Sequence, residues 1–262
     1  MCIERGFGYL DRAGNCHLAF GGVYVHVEGR PNPSPREPSL RTLFSPRAER
    51  VLRVLLTHSQ RRWRTVPLAS EAGVSVGQID KVKKALQAQD HLEDGPEGFR
   101  AARPGALLDL WARDYATRSA VRFGKPYAFY AMEPAAEIER RIGELYEENA
   151  GECAVALSGL SAAARLAPYA RAGRVTVTLK AGLGDLPDRL GLTPVDSGAN
   201  VTLTEAYDAG IFYGARCVDG VPVLGPVQTY LDLWRAGGRA RAGAEHLRAE
   251  VLEREWQRQT PS

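Results

Sequence analysis

The apolar positions of this chain change period along its length. Across residues 45–58 they crowd together as Val51, Leu52, Val54, Leu55 and Leu56 behind Ser45 and Pro46, which predicts a strongly apolar helix with a capping serine and proline at its first position. Across residues 76–86 they thin to Ile79, Val82 and Leu86, one stripe of an amphipathic helix, with Gln78, Lys81, Lys83 and Lys84 pointing away from it. A short helix precedes this one. Ala69 and Ala72 keep it thin enough for close packing, Gly73 supplies the left-handed residue of a tight turn, and Ser75 caps the helix that follows. The pattern predicts a helix-turn-helix covered by the apolar helix. Residues 91–100 add two short extended pieces around Gly95-Pro-Glu-Gly98, a hairpin in the position of a wing.

Elsewhere the period switches between two and 3.6. Residues 17–20 and 23–28, separated by Gly21-Gly22, read as an amino-terminal hairpin whose Leu18, Phe20, Val23, Val25 and Val27 need a surface to pack on, on another domain or on a second copy of the chain. Pro31-Asn-Pro-Ser-Pro-Arg-Glu-Pro38 is too proline-rich for helix or central strand and reads as an extended tether. Further on, helices are predicted over 106–117, 133–148, 158–169, 226–234 and 242–256, and strands over 153–157, 174–180, 199–204 and 214–218. The predicted fold class is therefore α+β: a hairpin and linker over 1–40, a winged helix-turn-helix domain over 41–104, and a larger α/β domain over 105–262 for dimerisation, effector or partner binding.

Charge singles out the middle segment. Residues 41–104 hold twelve Lys or Arg against seven Asp or Glu, whereas the flanking segments are balanced or slightly acidic, so the excess of the whole chain, +3, sits here. Arg61, Arg62 and Arg64 surround Trp63 just before the helix pair, and Arg100 closes the wing. With Ser75, Gln78, Lys81, Lys83 and Lys84 they form the predicted contact set for double-stranded DNA. Readers of this kind usually need two half-sites, so a homo-oligomer is expected.

Composition narrows the remaining classes. An apolar content of 44% with 25% charged residues is ordinary for a globular protein, no apolar run approaches a membrane span, and Met1-Cys-Ile-Glu-Arg5 does not open a signal peptide. A cytoplasmic location is expected. Cys2, Cys16, Cys153 and Cys217 are scattered, as are the five histidines, so neither a zinc site nor a disulfide framework is predicted, and no cofactor. Gly182-Leu-Gly184-Asp-Leu-Pro187 lacks the third glycine of a nucleotide fingerprint and reads as a turn. Ser158 and Ser161 have no matched His and acid, and read as helix caps.

Several of these pieces stand in an order that resembles a known family. Asp11-Arg-Ala-Gly-Asn-Cys-His-Leu18, Val23-Tyr-Val-His-Val-Glu-Gly-Arg30, Phe44-Ser-Pro46 and Leu68-Ala-x-x-Ala-Gly-Val-Ser-Val-Gly77 are followed by Leu157-Ser-Gly-Leu-Ser-Ala-Ala163, Asn200-Val-Thr-Leu203, Asp219-Gly-Val-Pro-Val-Leu-Gly-Pro-Val-Gln228 and Tyr230-Leu-Asp-Leu-Trp234. Together they resemble the AbiEi antitoxins of type IV toxin-antitoxin systems and related transcriptional regulators. That resemblance implies a winged-helix DNA-binding domain before a larger α/β domain, repression of its own promoter, and opposition to a nucleotidyltransferase-type toxin. It places DNA contacts at Ser75, Gln78, Lys81 and Lys84. Longer members carry more sequence before the Asp11 segment, so an amino-terminally shortened chain is expected. A stress-response regulator of the same architecture need not have a toxin.

One rival comes from another class. Asp11, with Glu28-Gly-Arg30 seventeen residues on, resembles the restriction-endonuclease pattern in which two carboxylates hold Mg²⁺ and a lysine assists the attacking water. Here an arginine replaces that lysine and stays protonated. A turn aspartate and an edge-strand glutamate give the same spacing, and no catalytic residue or metal ligand is predicted.

Overall fold

The computed structural model describes residues 8–10, 15–29, 43–118, 123, 126–169 and 173–258, which form a mixed α+β protein. The chain divides into two compact units, residues 1–39 and 40–262. In the first, β2 (Cys16–Phe20) and β3 (Val23–Val27) pair antiparallel around Gly21 and Gly22, with the two-residue β1 (Tyr9–Leu10) beside β2. The expected hairpin is present, and Phe20, Val23 and Val25 on it are exposed. The proline-rich tether lies outside the described residues.

The second unit opens with α1 (Pro46–Thr57), which begins where the serine and proline predict. Val51, Leu52, Val54, Leu55 and Leu56 are buried, each contributing about 1.5–3 kcal/mol by leaving water. Two short helices follow, α2 (Thr65–Glu71) and α3 (Val76–Gln87). Gly73 between them has φ +60°, the conformation an L side chain resists. Ser75 Oγ accepts the Gln78 N–H at 3.3 Å and fixes the start of α3. Ile79, Val82 and Leu86 then turn inward against α1. The antiparallel pair β4 (Leu92–Gly95) and β5 (Gly98–Ala101) closes this region, and Trp63 adds a bridge to Phe99 through N–H···O bonds of 2.8 and 2.9 Å. Gly98 makes this contact possible: a Cβ there would lie 2.4 Å from the Trp63 carbonyl oxygen.

Helix α4 (Pro104–Thr117) leads into a seven-stranded sheet. Its strands are β6 (Tyr127–Tyr130), β7 (Val155–Leu157), β8 (Val175–Leu179), β9 (Thr193–Pro194), β10 (Val201–Glu205), β11 (Arg216–Val218) and β12 (Val221–Val223), in the order β11-β12-β7-β8-β10-β6-β9. The β8–β10 and β7–β12 pairs are parallel and the remaining pairs antiparallel. Strand alternation puts Val175, Val177, Leu179, Val201 and Leu203 into a core with Ile138, Ile142 and Leu145 of α5 (Ala135–Glu148). On β8 and β10 the intervening positions are threonines. Helix α6 (Gly159–Leu166) packs on β8 and on α8 (Pro226–Ala236), and a single-turn α7 (Leu186–Arg189) precedes β9.

The final predicted helix is broken in a way its periodicity does not show. It starts earlier, as α9 (Arg239–Leu247), passes through a wider π turn over Arg248–Leu252, and ends as α10 (Glu253–Arg258). Arg248 bridges that turn, donating to Asp109 at 2.7 Å and to Glu253 at 2.9 Å. A second core runs from α1, α2 and α3 through Leu107 and Trp111 of α4 to Tyr230 and Leu231 of α8 and Leu247 of α9. The packing is therefore continuous across residue 104, where the sequence reading places a domain boundary.

Candidate nucleic-acid interface

Helix α3 sets the geometry of the predicted contact residues. Its apolar stripe is committed to α1, so Lys81 and Lys84 are exposed and Gln78 is half-buried beside the Ser75 cap. Neither lysine has a side-chain partner among the described residues. Arg64, at the cap position of α2, is exposed as well. Arg61 is exposed but lies over the Trp63 ring, its guanidinium carbon 3.9 Å from the ring centre. That contact fixes the cation in place while leaving its donors to solvent.

The other predicted cations are tied into the hairpin. Arg62 pairs with Glu93 and donates to the Gly98 carbonyl at 3.2 Å. Arg100 pairs with the same carboxylate at 2.9 Å and donates to Gln60 Oε1 at 2.7 Å. These arginines hold the Glu93 carboxyl below its usual range, Arg100 more strongly than Arg62. Lys83 pairs with Asp94 at 2.7 Å and sits over the Phe99 ring. The structure thus separates the predicted set: Arg61, Arg64, Lys81 and Lys84 present charge outward, and Arg62, Lys83 and Arg100 join α3 and the segment before α2 to the hairpin.

A second charged cluster, which the sequence reading missed, is buried on α1. Glu49 and Arg53, one turn apart on α1, are fully buried. Glu49 accepts from Arg118 and from the Tyr207 hydroxyl. Arg53 donates to Gln228 Oε1 at 2.6 and 3.1 Å, and its Nη1 has no hydrogen-bond partner and stands 3.8 Å from Glu49. Burial works against the guanidinium charge, yet Tyr207 and Glu49 outweigh it and leave the group more basic than usual. Gln228 passes the network on, donating to Tyr115 at 3.0 Å and to Asp232 at 2.8 Å. Burial pushes the Asp232 carboxyl up to about 6. Nearby, Arg50 of α1 forks onto Asp208 at 2.8 and 2.9 Å and donates to the Gly73 carbonyl at 3.2 Å. One side chain therefore joins the turn between α2 and α3 to the segment after β10.

The rival carboxylates are not brought together in what is described. Asp11 lies outside the described residues, and Glu28 is exposed with His26 at 3.5 Å. Among the described residues no group of three or more His, Cys, Asp or Glu is placed to hold a metal ion, and no helix is long and apolar enough to cross a membrane. Ser158 stands at the cap position of α6 but makes no capping bond there, and Ser161 Oγ bonds β8 instead, accepting from Thr176 N–H at 3.0 Å and donating to the Arg174 carbonyl at 3.1 Å. The capping role read for both serines is thus corrected: strand β8 runs past the first turn of α6 closely enough to take the Ser161 hydroxyl.

A family model described as transcriptional regulator, AbiEi antitoxin, type IV TA system fits residues 100–253, more than half of the chain. The matched span holds α4 and the seven-stranded sheet, while α1, α2 and α3 precede it. No curated protein and no solved structure matches the chain.

Proposed function

We propose that this chain, which belongs to the AbiEi antitoxin family of transcriptional regulators, binds duplex DNA through α3 and represses its own promoter. The region from α1 to β5 acts as a winged helix-turn-helix, with α3 in the major groove and the β4–β5 hairpin against the backbone. The observation that carries this reading is the surface of α3, where Lys81 and Lys84 have no side-chain partner among the described residues and lie on the same helix as Gln78 and the Ser75 cap. Lysines reach phosphates from there, and a glutamine side chain matches the donor and acceptor pair of an adenine edge. Arg61 and Arg64 extend the positive surface before α2. A nucleotidyltransferase-type toxin is the partner that membership of the family supports, and two copies on two half-sites give the affinity an operator needs.

Reading and positioning are separable by experiment. On a fragment from upstream of its own gene, Gln78→Ala should cost about 1–3 kcal/mol of binding and change binding to random DNA little. Lys84→Ala should weaken both alike. Anisotropy titrations of the two variants on the two DNAs decide it: equal losses on both fragments for both variants would show that α3 does not read bases.

A further inference from the structure

A cavity of about 770 Å³ opens in the 40–262 unit over the threonine face of the large sheet. Thr176 and Thr178 of β8 line it, and Thr204 of β10 pairs in register with Thr178. Strand β7 runs through Ser158 into α6 at this cavity. Ser158 is only 4% exposed, stands at the cap position, makes no capping bond and has no side-chain hydrogen-bond partner among the described residues. The N–H groups that open α6 have no acceptor inside the helix, so hydroxyl and amide donors are left together at one place in the wall. Arg174 and Arg235 also line the cavity, both exposed and neither ion-paired among the described residues. Arg235 rests 3.7 Å from the centre of the Phe123 ring. Tyr207, Leu160 and Ile211 supply apolar wall, and Gln228 and Asp232 supply a polar edge.

We propose that this cavity binds a nucleoside monophosphate, with the phosphate held by Ser158, the first N–H groups of α6 and Arg174, and the base lying along Tyr207 with its edge toward Asp232. A free phosphate would use only the donor cluster. The volume lies in the range of about 300–1,000 Å³ typical of sites for larger organic ligands, and the aromatic and aliphatic wall calls for a flat ring attached to the anion. The threonine hydroxyls between these regions suit a sugar, since each both donates and accepts. Asp232 receives one short hydrogen bond, from Gln228, and keeps acceptor capacity for N–H groups of a base. Its burial, which disfavours the free carboxylate, makes such donors more valuable there.

Calorimetric titration of the full chain with AMP, CMP, adenosine and inorganic phosphate tests the site. At least one nucleotide should bind about tenfold or more tightly than either adenosine or phosphate alone. Arg174→Ala, a change at an exposed residue, should weaken nucleotide binding about tenfold, the value of one charge-assisted contact, with an unchanged melting temperature. Ser158→Ala should weaken nucleotide and leave adenosine unaffected. Arg189→Ala, away from the cavity, should bind as the parent does. Absence of binding by both nucleotides at millimolar concentration, nucleotide affinity no better than that of its parts, or binding indifferent to Arg174→Ala would overturn the proposal.

Discussion

The charged side chains on α3 and those buried on α1 belong to two helices that pack against each other, yet their physics is opposite. Lys81 and Lys84 are exposed and have no side-chain partner among the described residues. Glu49 and Arg53 are fully buried and are surrounded by Arg118, Tyr207 and Gln228. A pair taken out of water depends on every partner it has, because any one removed leaves a charge unsatisfied in a low-dielectric site. An exposed lysine depends on none. The surface charges are therefore available to a ligand and expendable to stability, and the buried ones fix α1 to the α/β region and are not available to anything else.

The largest effect that separates the two sets is expected at Arg53. Arg53→Ala removes the donors to Gln228 and the cation facing Glu49, and should cost about 3–5 kcal/mol in chemical denaturation. A loss below about 1 kcal/mol would place this pair with the surface charges and break the contrast. Asp232 gives a smaller, pH-dependent effect. Its folded pKa of about 6 is raised above the ordinary aspartate value, so the folded state holds a proton that the unfolded chain releases at lower pH. Its contribution is complete below about pH 4 and is lost as pH rises through 6. Relative to Asp232→Asn, the parent should lose stability on the order of 3 kcal/mol across that window. The groups facing it are Gln228, Tyr115, Arg53 and Arg235. A stability difference between parent and variant that does not change with pH would show that the carboxyl is not held by burial.

The same contrast explains what was legible in the sequence. The α1, α2 and α3 helices are readable because each local signal agrees with the next: Pro46 opens a helix, Gly73 turns the chain, Ser75 caps, and Ile79, Val82 and Leu86 repeat at helical spacing. The core strands β8 and β10 announce themselves by β-branched alternation. Glu49 and Arg53 do not, because a glutamate and an arginine four residues apart normally mark a solvated helix face. Their partners Tyr207 and Gln228 lie more than 150 residues away, out of reach of any local pattern. Strand β9 has only two residues, β6 (Tyr127–Tyr130) lacks β-branched alternation, and β12 lies inside the Asp219–Gln228 motif, where the sequence pattern predicts no strand. The π turn at Arg248–Leu252 preserves apolar spacing closely enough to pass for helix. Of the predicted DNA contacts, the residue types and their helix were readable. Which cations spend their charge on Glu93 and Asp94 became visible only once the hairpin was folded back.

On the proposed function, the cations without ion pairs among the described residues serve DNA and the paired ones serve the fold. Salt dependence of binding to a fragment from upstream of the gene tests it most directly, with the parent compared to Lys81→Ala/Lys84→Ala. Contacts by Arg61, Arg64, Lys81 and Lys84 predict a slope of log K against log salt of about −3 to −4 for the parent, reduced by roughly 2 in the double variant. Stability of the variant should stay within about 0.5 kcal/mol of the parent. A parent whose affinity is indifferent to salt, or a double variant with the parent's slope, would contradict the account.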